Sequence, residues 1–192
     1  RALWQLLFSG KFDKFPGLKY CVVECGSWWV GDLLWKADVN FGASWKIKKM
    51  SSRMKGLLTK LPSEYFGDSV FIGASTMSRY EIRERHRNGI DALMWGTDYP
   101  HPEGSWPNTV HRLENDFQDV SIEDTRRLLG LNAIECYDLD VEGLTTVANR
   151  VGPTPEKLNQ DPSLRTSPTA KRDARWWFDE YGIEWSGPES GL

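Results

Sequence analysis

The sequence predicts an α/β protein built on a parallel sheet, and three observations carry that prediction. Short apolar runs at Leu18–Glu24, which is rich in Val, Ser69–Ser75 and Asp91–Trp95 have the length and composition of strands inside such a sheet. Long helical stretches separate them, so the order β-α-β-α-β-α needs crossover connections rather than hairpins. Polar residues follow each run directly: Glu24, then Ser75 with Thr76, then Asp98. Ligands gather at the carboxyl ends of strands in barrels and in open doubly wound sheets alike. Composition fits both architectures.

Taken in order, Ala2–Phe8 reads as the end of an amphipathic helix stopped by Ser9-Gly10, and FDKFPGLK as a turn broken by Pro16-Gly17. After the first strand, Gly26 precedes a helix expected over Trp28–Val39, and a second helix is expected over Ile47–Leu61, ended by Pro62. The second strand leads into a charged helix over Met77–Asn88, ended by Gly89. The third runs into GTDYPHPEG, followed by helices at Trp106–Phe117 and Ile122–Leu129, the latter capped by Ser121 with Asp124 three residues on. Asn132–Tyr137 makes a further short helical turn. From Val151 the chain turns Pro-, Ser- and charge-rich and ends in RWWFDEYGIEW. Residues 1–150 are therefore expected as the sheet-bearing body, and 151–192 as a tail whose aromatic segment packs back on it.

Net charge is -3 with both signs interspersed, so there is no basic field for nucleic acid or an anionic membrane. No apolar run reaches the ~18 residues of a membrane span. Ten tryptophans, including the pairs Trp28-Trp29 and Trp176-Trp177, are expected in core and interface positions. Cys21, Cys25 and Cys136 lack a disulfide spacing and read as reduced thiols of a cytoplasmic protein, with Cys21 and Cys25 on one strand face. Arg1 opens inside a helical pattern, so the chain reads as a C-terminal piece of a longer protein. CGSWW and GAST offer neither G-x-G-x-x-G nor a Walker loop, which sets aside a nucleotide-binding flavodoxin-like domain.

The segment with the most chemistry is MWGTDYPHPEGSWP, Met94–Pro107. Gly96 lets the chain turn after the strand, Asp98 stands at its carboxyl mouth, and Pro100 and Pro102 stiffen the loop that carries His101. A carboxylate and an imidazole on a braced loop suit a site whose geometry must be kept. From spacing alone, helix capping by Asp98 and a surface role for His101 explain them equally well.

This block resembles the amidohydrolase-related family that includes aminocarboxymuconate-semialdehyde decarboxylase, resorcylate decarboxylases and metal-dependent hydrolases. LLFSGKFDKFPGLKYCVVECGSWW, SVFIGAS, TRRLLGLNAIECYDLD and LTTVANRVGPTPEKL extend the likeness over most of residues 1–158. The resemblance implies a (β/α)8 TIM barrel of which this chain supplies about strands six to eight. It also implies a divalent metal ion, zinc first and manganese second, with Asp98 as metal ligand and catalytic proton-handling group. The family's His-x-His pair and its further His would lie before Arg1. The family's decarboxylases carry a His after strand six, where this chain has Glu24. That departure favours a hydrolase of a small carboxylate, lactone or amide over a non-oxidative decarboxylase. Glu24, His101, Trp28 and Trp106 are the candidates for contacting substrate or bracing the metal ligands. His86 and His111, on helices, read as solvated or capping residues. The implied partners are a small-molecule substrate and further copies of the chain as a homo-oligomer. A chain that is non-catalytic by itself is the competing reading, because three strands leave two open sheet edges.

Overall fold

A computed structural model describes residues 1–44, 57–154 and 158 of the chain. Contacts group Arg1–Gln160 as one unit and Asp161–Leu192 as a second, and only the first contains described residues. The helix expected over Ile47–Leu61 falls largely on positions outside the described set. So does the tail beyond residue 154, Leu158 excepted.

The described elements run α1 (Ala2–Leu7), α2 (Lys11–Lys14), β1 (Tyr20–Cys25), α3 (Val30–Ser44), a 3-10 turn (Pro62–Tyr65) and β2 (Val70–Ser75). They continue with α4 (Arg79–Arg83), a 3-10 turn (Ile90–Ala92), β3 (Leu93–Gly96), α5 (Thr109–Phe117) and α6 (Ile122–Arg126). A π-helical turn (Arg127–Leu131), α7 (Asn132–Tyr137) and α8 (Val141–Val151) complete the set. The three strands form one parallel sheet in the order β1-β2-β3. This is the α/β architecture expected from three apolar runs joined by helical crossovers.

β2, the central strand, is almost wholly buried, whereas β1 is only half covered and its Val23 is 55% exposed. The expectation of burial on both faces therefore holds for β2 and fails for β1, an edge strand of this sheet. On one face, Ile72, Ala74 and Leu93 pack against Val30 of α3, Ile82 of α4, Leu113 and Phe117 of α5 and Leu128. Each of these side chains larger than Ala74 contributes about 1.5–3 kcal/mol when fully buried. On the other face Phe71 and Met94 meet Cys136 and Ala133 of α7, with Cys21 alongside. Leu3, Leu7, Phe12 and Phe41 form a second cluster with Tyr65 and Val70. No tryptophan among the described residues is fully buried. Trp29 and Trp95 are partly buried against the core, as expected, whereas Trp28, Trp35 and Trp106 are 64%, 65% and 68% exposed and do not contribute to it.

Several boundaries move for identifiable reasons. α4 begins after Ser78, whose hydroxyl accepts from the Glu81 N–H while the Glu81 carboxylate takes the Ser78 N–H, a reciprocal cap that the expected start at Met77 overlooked. α5 starts at Thr109 rather than Trp106, since residues 98–105 are held in a closed loop. Ser121 caps α6 through the Asp124 N–H at 3.1 Å, as expected. α6, the π-helical turn and α7 follow one another without a break, where two separate helices were expected. α8, capped by Asp140, was not anticipated.

Candidate active site

The site grows from the carboxyl ends of the three strands. β1 pairs Val23 with Gly73 and Cys25 with Ala74, so Glu24 is an extra residue, a β-bulge. Its φ is 54°. In a regular strand Glu24 would share the face of Val22, beneath the helices; the bulge re-aims it towards the strand mouth. The same extra residue separates the two cysteines. Cys25 packs with the helix-side core while Cys21 lies on the opposite face, which corrects the expectation that they share one. Thr76, just past β2, has φ 45°, and Asp98, two residues past β3, has φ 59°. Left-handed backbone is uncommon for residues with a side chain and clusters at functional sites.

The loop after β3 is built around main-chain carbonyls. The His101 N–H donates to the Asp98 carbonyl at 2.8 Å, the Gly104 N–H to that of His101 at 3.0 Å, and the Ser105 N–H to that of Thr97 at 2.8 Å. A Cβ on Gly104 would lie 2.9 Å from all three of those oxygens, which is why glycine stands there. Buried Ser105 closes the loop onto Thr109 at the start of α5, Oγ to Oγ1 3.0 Å. His101 thereby stands over the mouth.

Its Nδ1 is 3.8 Å from Asp98 Oδ2, 4.0 Å from Glu24 Oε1 and 3.7 Å from Glu103 Oε1. One donor atom from each of Glu24, Asp98 and His101 falls within 4.8 Å of the others. The Asp98 side chain is 13% exposed, against 69% for Glu24 and 52% for His101. The structure thus brings together three of the five sequence-derived candidates. The fourth, Trp106, lines a shallow depression of about 390 Å³ with Thr97, Tyr99 and Thr109. Its ring meets that of Tyr99 edge-on, centroids 5.9 Å apart. The fifth, Trp28, is exposed with its ring against Gly26, outside both the cluster and the depression. His86 reaches Asp124 at 3.1 Å and His111 is exposed, in keeping with the solvated role expected of both, and neither belongs to the Glu24–Asp98–His101 cluster.

Three supporting residues went unnoticed in the sequence. Glu81 accepts from Ser27 and Ser78. Arg112, on α5, donates to the Thr76 carbonyl at 3.0 Å and pairs with Asp116 at 3.4 Å. Burial pushes the Asp116 carboxyl up to about 6, against the pull of the Arg112 guanidinium. Asn132, fully buried, donates to the carbonyls of Ile90 and Leu93 at 2.7 and 2.6 Å and so ties α7 to the entry of β3. The capping-box spacing Ser78-x-x-Glu81 was a legible signal for the first. Nothing local marks the other two.

Two carboxylates and an imidazole at one mouth form an oxygen- and nitrogen-donor set that fits a divalent cation such as zinc or manganese. A parallel α/β sheet bearing such a cluster beyond its carboxyl ends defines a class of candidate metal-site α/β enzymes. A family model described as amidohydrolase matches residues 1–139, and the chain belongs to that family. Among solved structures it is similar to 5-carboxyvanillate decarboxylase LigW from Sphingomonas paucimobilis, at 24% identity and a TM-score of 0.52. The likeness covers 71% of this chain and 38% of that one, so the chain spans well under half the length of the structure it matches. No significant match is found among curated proteins.

Proposed function

We propose that the chain forms one side of the active site of a divalent-metal-dependent hydrolase acting on a small carboxylate, lactone or amide. The observation that carries this is the convergence of Glu24, Asp98 and His101 at the strand mouth. In this reading the sheet is strands six to eight of a (β/α)8 barrel, and further ligands come from residues outside these 192. Asp98 is the ligand of choice, because its loop and its low exposure fix it best. When bound, the ion supplies Lewis-acid polarisation of a carbonyl and a lowered pKa for water. Glu24, open to solvent, takes and returns the proton, and His101 orients both carboxylates from between them. The Tyr99–Trp106 shelf holds the apolar part of the substrate.

Decarboxylation is the second reading, favoured by the fold shared with a decarboxylase and by the aromatic shelf beside the Asp98 loop. Under it Asp98 positions the carboxylate to be lost, and Glu24 delivers a proton to carbon. Asp98→Asn in the full-length protein tests both. Turnover should fall by orders of magnitude while the melting temperature stays near wild type, since Asn tolerates left-handed backbone. Unchanged turnover removes Asp98 from the chemistry. Measuring CO2 release against hydrolysis over a panel of aryl carboxylates, lactones and amides separates the two reactions.

A further inference from the structure

The left-handed backbone at Glu24 and Thr76 has to be held by something, because such conformations are unfavourable for residues with a side chain and persist only when their surroundings over-determine them. One side chain reaches the segments following both. Glu81 Oε1 accepts the Ser27 N–H and, at 3.1 Å, the Ser27 hydroxyl, three residues after Glu24. Glu81 Oε2 accepts the Ser78 N–H at 2.9 Å and the Ser78 hydroxyl at 2.8 Å, two residues after Thr76. Both serines are at least partly buried, Ser27 completely, and Glu81 itself is 8% exposed. A Cβ on Gly26 would stand 3.0 Å from Glu81 Oε1 and 2.6 Å from the Trp28 ring. Gly26, Ser27 and Glu81 therefore form a single device, with the glycine making room for the carboxylate.

We infer that Glu81 is a positioning residue for the active site: its carboxylate clamps the β1 and β2 mouths together and so aims Glu24 at Asp98 and His101. An ordinary capping box serves one helix end; this one uses its second oxygen on the turn that follows a different strand, 54 residues away in sequence. Gln in its place keeps the size but offers one acceptor oxygen and one N–H2 group where four donors converge. One of the two mouths is then released. The inference rests on the reading that Glu24, besides carrying the proton, stands beside the ion at the Asp98 mouth, where its negative charge raises the affinity of the site.

The test is a double-mutant cycle on Mn2+ affinity in the full-length protein, followed by the EPR signal of free Mn2+ with thermal melting in parallel. Glu24→Gln should weaken binding, and Glu81→Gln should weaken it by about tenfold, the scale seen when groups orienting metal ligands are lost. Combined, the two should be no worse than Glu24→Gln alone, because Glu81 acts through Glu24. Glu81→Gln that leaves affinity unchanged, or that costs as much with Glu24 already replaced, overturns the inference while the functional reading stands. Glu24→Gln without effect removes Glu24 from the metal site and the inference with it. If Glu81→Gln does not fold, Glu81→Asp, which keeps the charge but is one methylene too short to reach both serines, takes its place in the cycle, and each outcome has the same meaning.

Discussion

Among the described residues, four with side chains adopt positive φ, and three of them, Glu24, Thr76 and Asp98, stand at the ends of the three strands. The fourth, Asp138, merely ends α7. Backbone geometry alone therefore singles out the sheet mouth before any side chain is considered. His101 reaches that mouth only because the loop beneath it is closed on the carbonyls of Thr97, Asp98 and His101. Gly104→Ala should destabilise the protein by about 1–3 kcal/mol, since its Cβ meets main-chain oxygens that have no flexible end to swing away. A urea midpoint equal to wild type would show that the loop gives way more easily than its geometry indicates.

At the scale of elements, the run α6–π–α7 holds β3 in place. Asn132 spends both amide hydrogens on the carbonyls that flank the 3-10 turn entering β3, and its oxygen accepts from Arg127 Nη1 at 3.3 Å. Asn132→Ala removes these buried hydrogen bonds and should lower stability on the order of 2 kcal/mol. Amide exchange should then quicken in β3 and α7 ahead of β1. Uniform loss of protection across the sheet would contradict a local anchoring role. The motif LGLNAIECY was recognisable as a pattern, but the sequence contains no sign that its asparagine points at the third strand.

For the whole molecule, an ion that binds only the folded protein adds RT ln(1 + [L]/Kd), about 2.7 kcal/mol at one hundred times Kd. Mn2+ or Zn2+ should raise the melting temperature of the full-length protein, a chelator should reverse the shift, and Asp98→Asn should abolish most of it. An equal shift in the variant would mean the ion binds elsewhere. No helix among the described residues is long and apolar enough to cross a membrane. One face of the sheet is packed under α3, α4 and α5, whereas Val23 stays open on β1. A barrel completed around these strands would cover that surface.

Much of this protein was legible in one dimension, for physical reasons that differ by feature. Strand positions follow from apolar runs bounded by Gly and Pro, the parallel arrangement from crossover length, and caps such as Ser121 from a hydroxyl next to a helix start. Each depends on residues a few positions apart. Asp98 and His101 stood out because Pro100 and Pro102 brace their loop, but spacing alone fitted capping and surface roles equally well, and a metal-site role came only from the family resemblance. Glu24 was named, but the bulge that turns it to the mouth was not, and regular alternation wrongly put Cys21 and Cys25 together. Glu81, Arg112 and Asn132 were missed because their partners lie 54, 36 and about 40 residues away. The sequence by itself determined the three strands and their order, the helical crossovers between them and the carboxylate that follows the last strand, since local periodicity and turn chemistry encode these. Only the tertiary structure decided which side chains share the mouth and what holds them there, because a bulge's direction and a hydrogen bond between strands depend on groups that meet only once the chain has folded.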